Sequence, residues 1–176
     1  GTPSSEAPMT LLIDGREVVG PLYLGVDPGD SSGGVALIDA NGRFVDAVRI
    51  TGTKANPLTP RDLYRWVWDY GTLPGIDFAV LERVKAMPRD GGTSAFKFGA
   101  SWGKLYMLLV SCGIPFDEPT PAQWQGAMNC RTKGDKKVTR NLAAKLWPEA
   151  RVTHWNADAL LMAEYARRLA AERRPA

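Results

Sequence analysis

The sequence is poor in cysteine: it has two, Cys112 and Cys130, with no Cys-x-x-Cys spacing. That argues against a disulfide scaffold and a thiolate zinc site, and it points to a reducing compartment: the cytoplasm, that of a host if the source is a phage, or an organelle. No apolar run approaches the roughly 20 residues needed to cross a bilayer. No signal-peptide pattern opens the sequence, so no membrane partner is expected. Neither sign of charge dominates. Lys and Arg number 22 against 19 Asp and Glu, a net charge of +3 that only weakly suggests an anionic partner. The 176 residues are 44% hydrophobic and 23% charged, which suits one globular domain with a core of its own.

Charge is uneven along the chain. Arg131, Lys133, Lys136, Lys137, Arg140, Lys145 and Arg151 face only Asp135 and Glu149 over the same stretch. Such a block reads either as a solvated helix face or as a surface that tracks phosphates.

Residues 1–9 are small, polar and proline-containing, as in a disordered leader. Asp14-Gly15 then sets a short hairpin within residues 1–20. A single domain over residues 21–176 follows. Leu22 to Val26 is an apolar run ending in Asp27-Pro28-Gly29-Asp30, and Gly33 to Ile38 is a second. These predict two antiparallel strands, with Arg43–Thr51 as a third. Asp27 is either a turn-starter before Pro-Gly or a carboxylate placed at a strand end, where burial requires pairing or a metal. Asp30 reads as a turn residue. A helix is predicted from Thr59 or Pro60 to Tyr70, broken by Gly71–Gly75. Next come a strand over Ile76–Leu81 ending in Glu82, a helix over Ser94–Cys112, and a short strand over Ile114–Glu118. A short helix begins at Ala122, another runs to Leu146, and a last one spans about Asn156–Glu172. Three antiparallel strands, then two parallel ones, with helices between and after, predict an α/β chain with an RNase H-like five-stranded mixed sheet.

Gly99 and Gly103 lie four apart in the predicted 94–112 helix, where each costs about 1 kcal/mol relative to alanine. Close approach of a sheet or a second subunit would explain them. His154 and Asp158 are also four apart and share a helix face. His154 is the sole histidine, and a lone histidine is more often a structural hydrogen-bonder than a ligand. Taken together, Asp27, Glu82, His154 and Asp158 can meet at one sheet edge. Carboxylates so gathered repel one another unless a cation lies between them. Oxygen-rich sites of this kind suit Mg²⁺ or Mn²⁺, and two such ions support phosphodiester hydrolysis.

The segments LYLGVDPGDSSGGVALID, FAVLERV, SAFKFGASWGKLYMLLVSCGIP, TPAQWQ, KGDKK and HWNADALLMAEYARR, in that order, resemble the RuvC-like Holliday junction resolvases, closest to the phage and chloroplast branch. The resemblance spans about Leu22 to Arg168. It implies a homodimeric, Mg²⁺-dependent endonuclease making paired nicks in four-way junction DNA, with two ions per site, Mn²⁺ as a substitute and no organic cofactor. Asp27, Glu82 and Asp158 match the family's metal-holding acids, and His154 falls where the family has an acid or a histidine. Lys133, Lys136 and Lys137 resemble a segment that approaches the scissile phosphate. DNA contacts are expected also from Lys85, Arg89, Lys97, Arg131 and Arg140. Phe96 or Phe98 falls where the family wedges the junction, and with Gly99 and Gly103 they are equally candidates for a dimer interface.

Other readings remain open. A sugar-kinase or actin-like ATPase also carries a G-x-D-x-G hairpin, but it needs a second domain and leaves Glu82 idle. A branched-DNA binding module would not need the complete acid set. A nuclease of the same fold acting on forks, flaps or RNA–DNA hybrids shares the metal chemistry and differs only in loops and dimer geometry.

Overall fold

The computed structural model describes residues 8–29, 32–85 and 91–173. The leader up to residue 7, Asp30 and Arg89 lie outside the described residues. Asp14 and Gly15 both adopt positive φ, as a two-residue hairpin turn requires, and they join β1 (Thr10–Ile13) to β2 (Arg16–Val19). Val18 and Val19 are buried, and the Val19 amide donates to the carboxylate of Asp39. Asp39 is itself buried and also accepts from the amides of Asn41 and Arg43.

The main sheet has the order β5-β4-β3-β6-β7. β3 (Leu22–Asp27) pairs antiparallel with β4 (Gly34–Ile38), which pairs antiparallel with β5 (Phe44–Arg49). On its other side β3 pairs parallel with β6 (Ile76–Leu81), and β6 pairs parallel with β7 (Phe116–Asp117). The expected five-stranded mixed sheet, three antiparallel strands and then two parallel ones, is therefore the observed one. The outer strands are shorter than their apolar runs. β7 keeps only two residues because Pro115 and Pro119 flank it, and proline cannot donate to a ladder.

α1 (Pro60–Thr72) starts on a capping box in which Thr59 and Asp62 satisfy each other's backbone amides. It runs through Gly71 rather than stopping there, and ends just before Pro74. α2 (Gly92–Ser111) begins two residues earlier than expected. α3 (Pro121–Ala127) repeats the capping-box device with Thr120 and Gln123. α4 (Lys137–Leu146) is followed by one turn of 3₁₀-helix, and then by α5 (His154–Arg173).

The strands alternate between two cores, as period-two geometry dictates. Leu22, Leu24 and Val26 face α1 and α2, alongside Leu63, Val67, Leu105 and Leu109. Tyr23, Phe78 and Val80 face α5, with Trp124 and Trp147. At Gly25 the backbone of α5 comes so close that a Cβ would collide with the main chain of Ala159 and Ala163. Glycine there, with alanines opposite, lets α5 lie directly on the central strand.

Candidate active site

The alternation that sorts the core also places the acids. Tyr23 and Gly25 precede Asp27 on the α5 side of β3, and Phe78 and Val80 precede Glu82 on the α5 side of β6. The two strands are in register at Val26 and Leu81, and the Glu82 amide donates to the Val26 carbonyl at 3.1 Å. Asp27 and Glu82 therefore leave neighbouring strands side by side. α5, seated on Gly25, carries Asp158 over the same sheet end. The helix begins at His154, two residues before its expected start, so Asp158 lies in its second turn.

The surroundings load these carboxylates. Burial, reinforced by the charge of Asp158, raises Asp27 to about 6, against the pull of the Gly29 amide and Lys136. Burial raises Glu82 to about 7, with Asp27 and Asp158 adding to it. Burial also raises Asp158, while the Thr139 hydroxyl and Lys136 draw it down. Each of the three is held in a setting that disfavours its charge. Lys136, exposed at the start of α4, is the positive charge that offsets part of this for all three. Glu164, the buried acid farther along α5, is a contrast. Burial pushes it up, but the side chains of Arg167 and Arg168 hydrogen-bond it and bring its pKa below the ordinary value. It is already satisfied and stands outside the set.

Two tryptophans fix Glu82. Trp124, fully buried, donates its indole N–H to Oε2 at 2.7 Å, and Trp102 donates to the Glu82 carbonyl at 3.2 Å. Thr139, also buried, donates to the Lys136 carbonyl at 3.3 Å, and its hydroxyl draws the Asp158 pKa down. Sequence reasoning missed these roles. The available signal was that a buried indole needs a partner for its N–H.

The donor chemistry fits a hard divalent cation. Oδ1 of Asp158 is buried with no hydrogen-bond partner, and Asp27 and Glu82 repel it and each other. Among the described residues, no group of three His, Cys, Asp or Glu side chains is gathered tightly enough to hold an ion. His154 sits one turn before Asp158, exposed, and makes no hydrogen bond or ion pair among the described residues.

Of the basic residues, Lys136 is the one whose charge acts on all three acids. Lys133, Lys136 and Lys137 are exposed, Arg140 is half-buried, and Arg131 is exposed beside Gly126. Lys85 lies beyond Glu82 and Lys97 lies in the first turns of α2, both exposed. Phe96 is 77% exposed, and Phe98 is half-buried. At Gly99 and Gly103 no atom of the described chain lies within 4 Å of where a Cβ would stand. The sheet therefore does not explain these glycines.

No family model matches the chain, and no curated protein matches its sequence. In three dimensions, Thermus thermophilus RuvC in complex with Holliday junction substrate matches with a TM-score of 0.64 at 18% identity, over 88% of this chain and 96% of that one. A second Thermus thermophilus RuvC structure matches with a TM-score of 0.63 at 17% identity, over 87% and 96%. The architecture of this chain is the RNase H-like fold of RuvC.

Proposed function

We propose that the chain is a structure-specific endodeoxyribonuclease that resolves four-way DNA junctions by metal-dependent phosphodiester hydrolysis. The observation that carries this reading is the convergence of Asp27, Glu82 and Asp158, half-buried and mutually repelling, from β3, β6 and α5. A fold that only bound DNA would have no use for three carboxylates held against their own charge. One of the matched RuvC structures is a complex with a Holliday junction, which supports the choice of substrate.

Asp27, Glu82 and Asp158 would hold Mg²⁺ or Mn²⁺, two ions per site, with His154 as a further ligand. When bound, such ions supply an activated water and stabilise the departing 3′-oxygen. The chain's own contribution is positioning and charge. Trp124 and Trp102 hold Glu82 in place, and Thr139 eases the charge of Asp158. Lys136 offsets repulsion among the acids before a cation arrives, and with Lys133, Lys137 and Arg140 it receives the phosphate backbone.

Paired nicks require two active sites, and the outer face of α2 supports a homodimer. Phe96, Gly99, Gly103, Met107 and Val110 recur at three- and four-residue steps, so they form one stripe. Met107 is 55% exposed and Val110 48%, and both glycines are uncovered. A second copy of the helix could approach closely there.

The test is cleavage of four-way, forked, flapped and RNA–DNA hybrid substrates with Mg²⁺, with Asp27→Asn as control. The four-way junction should be cut in symmetric pairs, and Asp27→Asn should bind it without cutting. Cleavage by Asp27→Asn at the wild-type rate removes the active-site assignment, and preference for another substrate moves the reading to a sister nuclease of the same fold. Junction affinity should fall steeply with salt. A flat response returns the basic block to a solvated face.

A further inference from the structure

The edge strand β5 ends in Arg49, and the register places it level with the first acid: Arg49 pairs with Gly34, and Gly34 pairs with Asp27. At a strand spacing of about 4.8 Å, the two main chains lie roughly 10 Å apart. Both side chains leave on the α5 side of the sheet, because Ala47, two residues before Arg49, packs against the same core as Tyr23, Ala36 and Phe78. Gly34 has no side chain to place between them, and Trp155 of α5 fills that position. Trp155 also lines a cleft of about 340 Å³, together with Arg49, Thr53, Asn56 and Leu58. Among the described residues no acid lines it. Nε of Arg49 is buried and has no hydrogen-bond partner. Its guanidinium forms no ion pair and lies over no ring among the described residues. Two other arginines at the sheet differ. Arg16 donates to the Val45 carbonyl and lies over Phe44, while Arg173 pairs with Asp117 and lies over Phe78. Across the cleft, the Thr53 hydroxyl oxygen accepts from the Asn56 amide, which leaves its own proton to donate.

We infer that this cleft is a phosphate subsite, in which Arg49, the Thr53 hydroxyl and the Asn56 side chain hold one phosphodiester of the strand that reaches Asp27. The inference rests on the nuclease reading in taking DNA as the ligand. A guanidinium keeps its charge at every accessible pH, and a buried N–H without an acceptor is unfavourable, more so on a charged group. What the site lacks is therefore an acceptor oxygen that carries negative charge. The planar fork of arginine matches a phosphate with two parallel hydrogen bonds. Thr53 and Asn56 add neutral donors, and a lining without acids disfavours a metal ion or a cationic partner. Position selects DNA among anions, since a strand lying along this sheet end on the α5 side meets both Asp27 and Arg49. Each strand of a duplex rises 3.4 Å per phosphate, so 10 Å is about three phosphates. A contact to the backbone carries no sequence information, but it fixes register. Arg49 is thus a positioning residue that sets how far along the strand the reacting phosphate lies. Gly34 and Trp155 keep it apart from the acids.

The experiment replaces one phosphate at a time by an uncharged methylphosphonate, at successive positions along a four-way junction and along a plain duplex. Equilibrium affinity is measured for the full chain carrying Asp27→Asn, which prevents cutting, and again with Arg49→Met or Arg49→Lys added. With Arg49 present, one methylphosphonate position should weaken binding by about ten- to a hundredfold, the range for a hydrogen bond to a charged group. With Arg49→Met the penalty at that position should fall below about twofold, while penalties elsewhere stay as they were. Arg49→Lys keeps the charge without the fork and should retain part of the penalty. Arg49→Met should also reduce the slope of log affinity against log salt by about one, which a purely structural role would not do. The proposal is overturned if every position gives the same penalty with Arg49 and with Arg49→Met, or if the salt slope does not change. The scan reads affinity alone. A chain that cleaves no substrate would lose the nuclease reading and still show whether Arg49 holds a phosphate.

Discussion

The contact between β3 and α5 and the outer face of α2 are both built from small residues, but the chain closes the first and leaves the second open. At Gly25 the missing side chain is occupied by the backbone of Ala159 and Ala163, and at Gly34 by Trp155. At Gly99 and Gly103 the space is empty, and the flanking Phe96, Met107 and Val110 are exposed. In the first region a small residue fixes where Asp158 stands relative to Asp27. In the second it leaves room for something outside the chain. Glycine spacing alone does not tell these apart; what lies opposite does.

The largest effect is expected from closing the first region. Gly25→Val puts a branched side chain into the backbone of α5. Overpacking usually costs about 1–3 kcal/mol, and a clash with main chain rather than a movable side chain lies at or above the top of that range. Denaturant unfolding should show a loss of about 3 kcal/mol or more. Any folded fraction should cleave poorly, since α5 carries Asp158 away with it. A stable variant with full activity would show that α5 does not need this seat.

How far the sequence revealed this region depends on the residue. The strand order, the two crossovers and the edge positions of Asp27 and Glu82 were legible, because short apolar runs bounded by Gly, Pro and Asp punctuate the chain. The helix containing Asp158 was also legible, although its start at His154 was placed two residues late. Asn156 accepts from the Thr153 amide and so caps a turn that apolar periodicity does not mark. Gly25 was read only as part of an apolar strand, although an interior strand glycine signals close backbone approach. The grips of Trp124 and Trp102 on Glu82 join residues 42 and 20 positions apart, a pairing that only the fold supplies.

The acids seated by that contact oppose stability, and pH should reveal it. Folding raises Asp27 from 3.8 to about 6 and Glu82 from 4.5 to about 7. Between those limits the folded state holds more protons than the unfolded one. Stability of the metal-free protein should therefore fall as pH rises from about 4 to about 7, then level off. For Asp27 the shift is about 2 units, or up to about 3 kcal/mol at 1.36 kcal/mol per unit. Asp27→Asn should recover much of this at pH 8 while abolishing cleavage, as thermal unfolding in chelator would measure. Equal stability of the wild type at pH 5 and pH 8 would contradict the assigned burial.

A smaller effect is expected at Trp124, which joins the closed region to Glu82. Trp124→Phe keeps an aromatic ring but removes the donor to Oε2. That donor draws the Glu82 pKa down, so without it the carboxyl holds its proton to higher pH. The acid limb of the rate profile should move toward alkaline pH, with a stability loss of about 1–3 kcal/mol from the lost hydrogen bond and the small void. An unmoved limb would leave Trp124 with a packing role only.

The smallest effect, and the one that separates the two regions most cleanly, comes from adding a single methyl group to the open one. Gly99→Ala and Gly103→Ala meet no atom of the described chain. Alanine in a helix interior is favoured over glycine by about 0.5–1 kcal/mol, so each should stabilise the monomer by about that amount. If a second copy seats on this face, the same methyl groups push two helices apart. Sedimentation should then show weaker self-association, with paired nicks giving way to single ones. The same change at Gly25 could only destabilise. Stabilisation without any loss of association would show that the glycines of α2 are merely tolerated, and the dimer would then have to use another face.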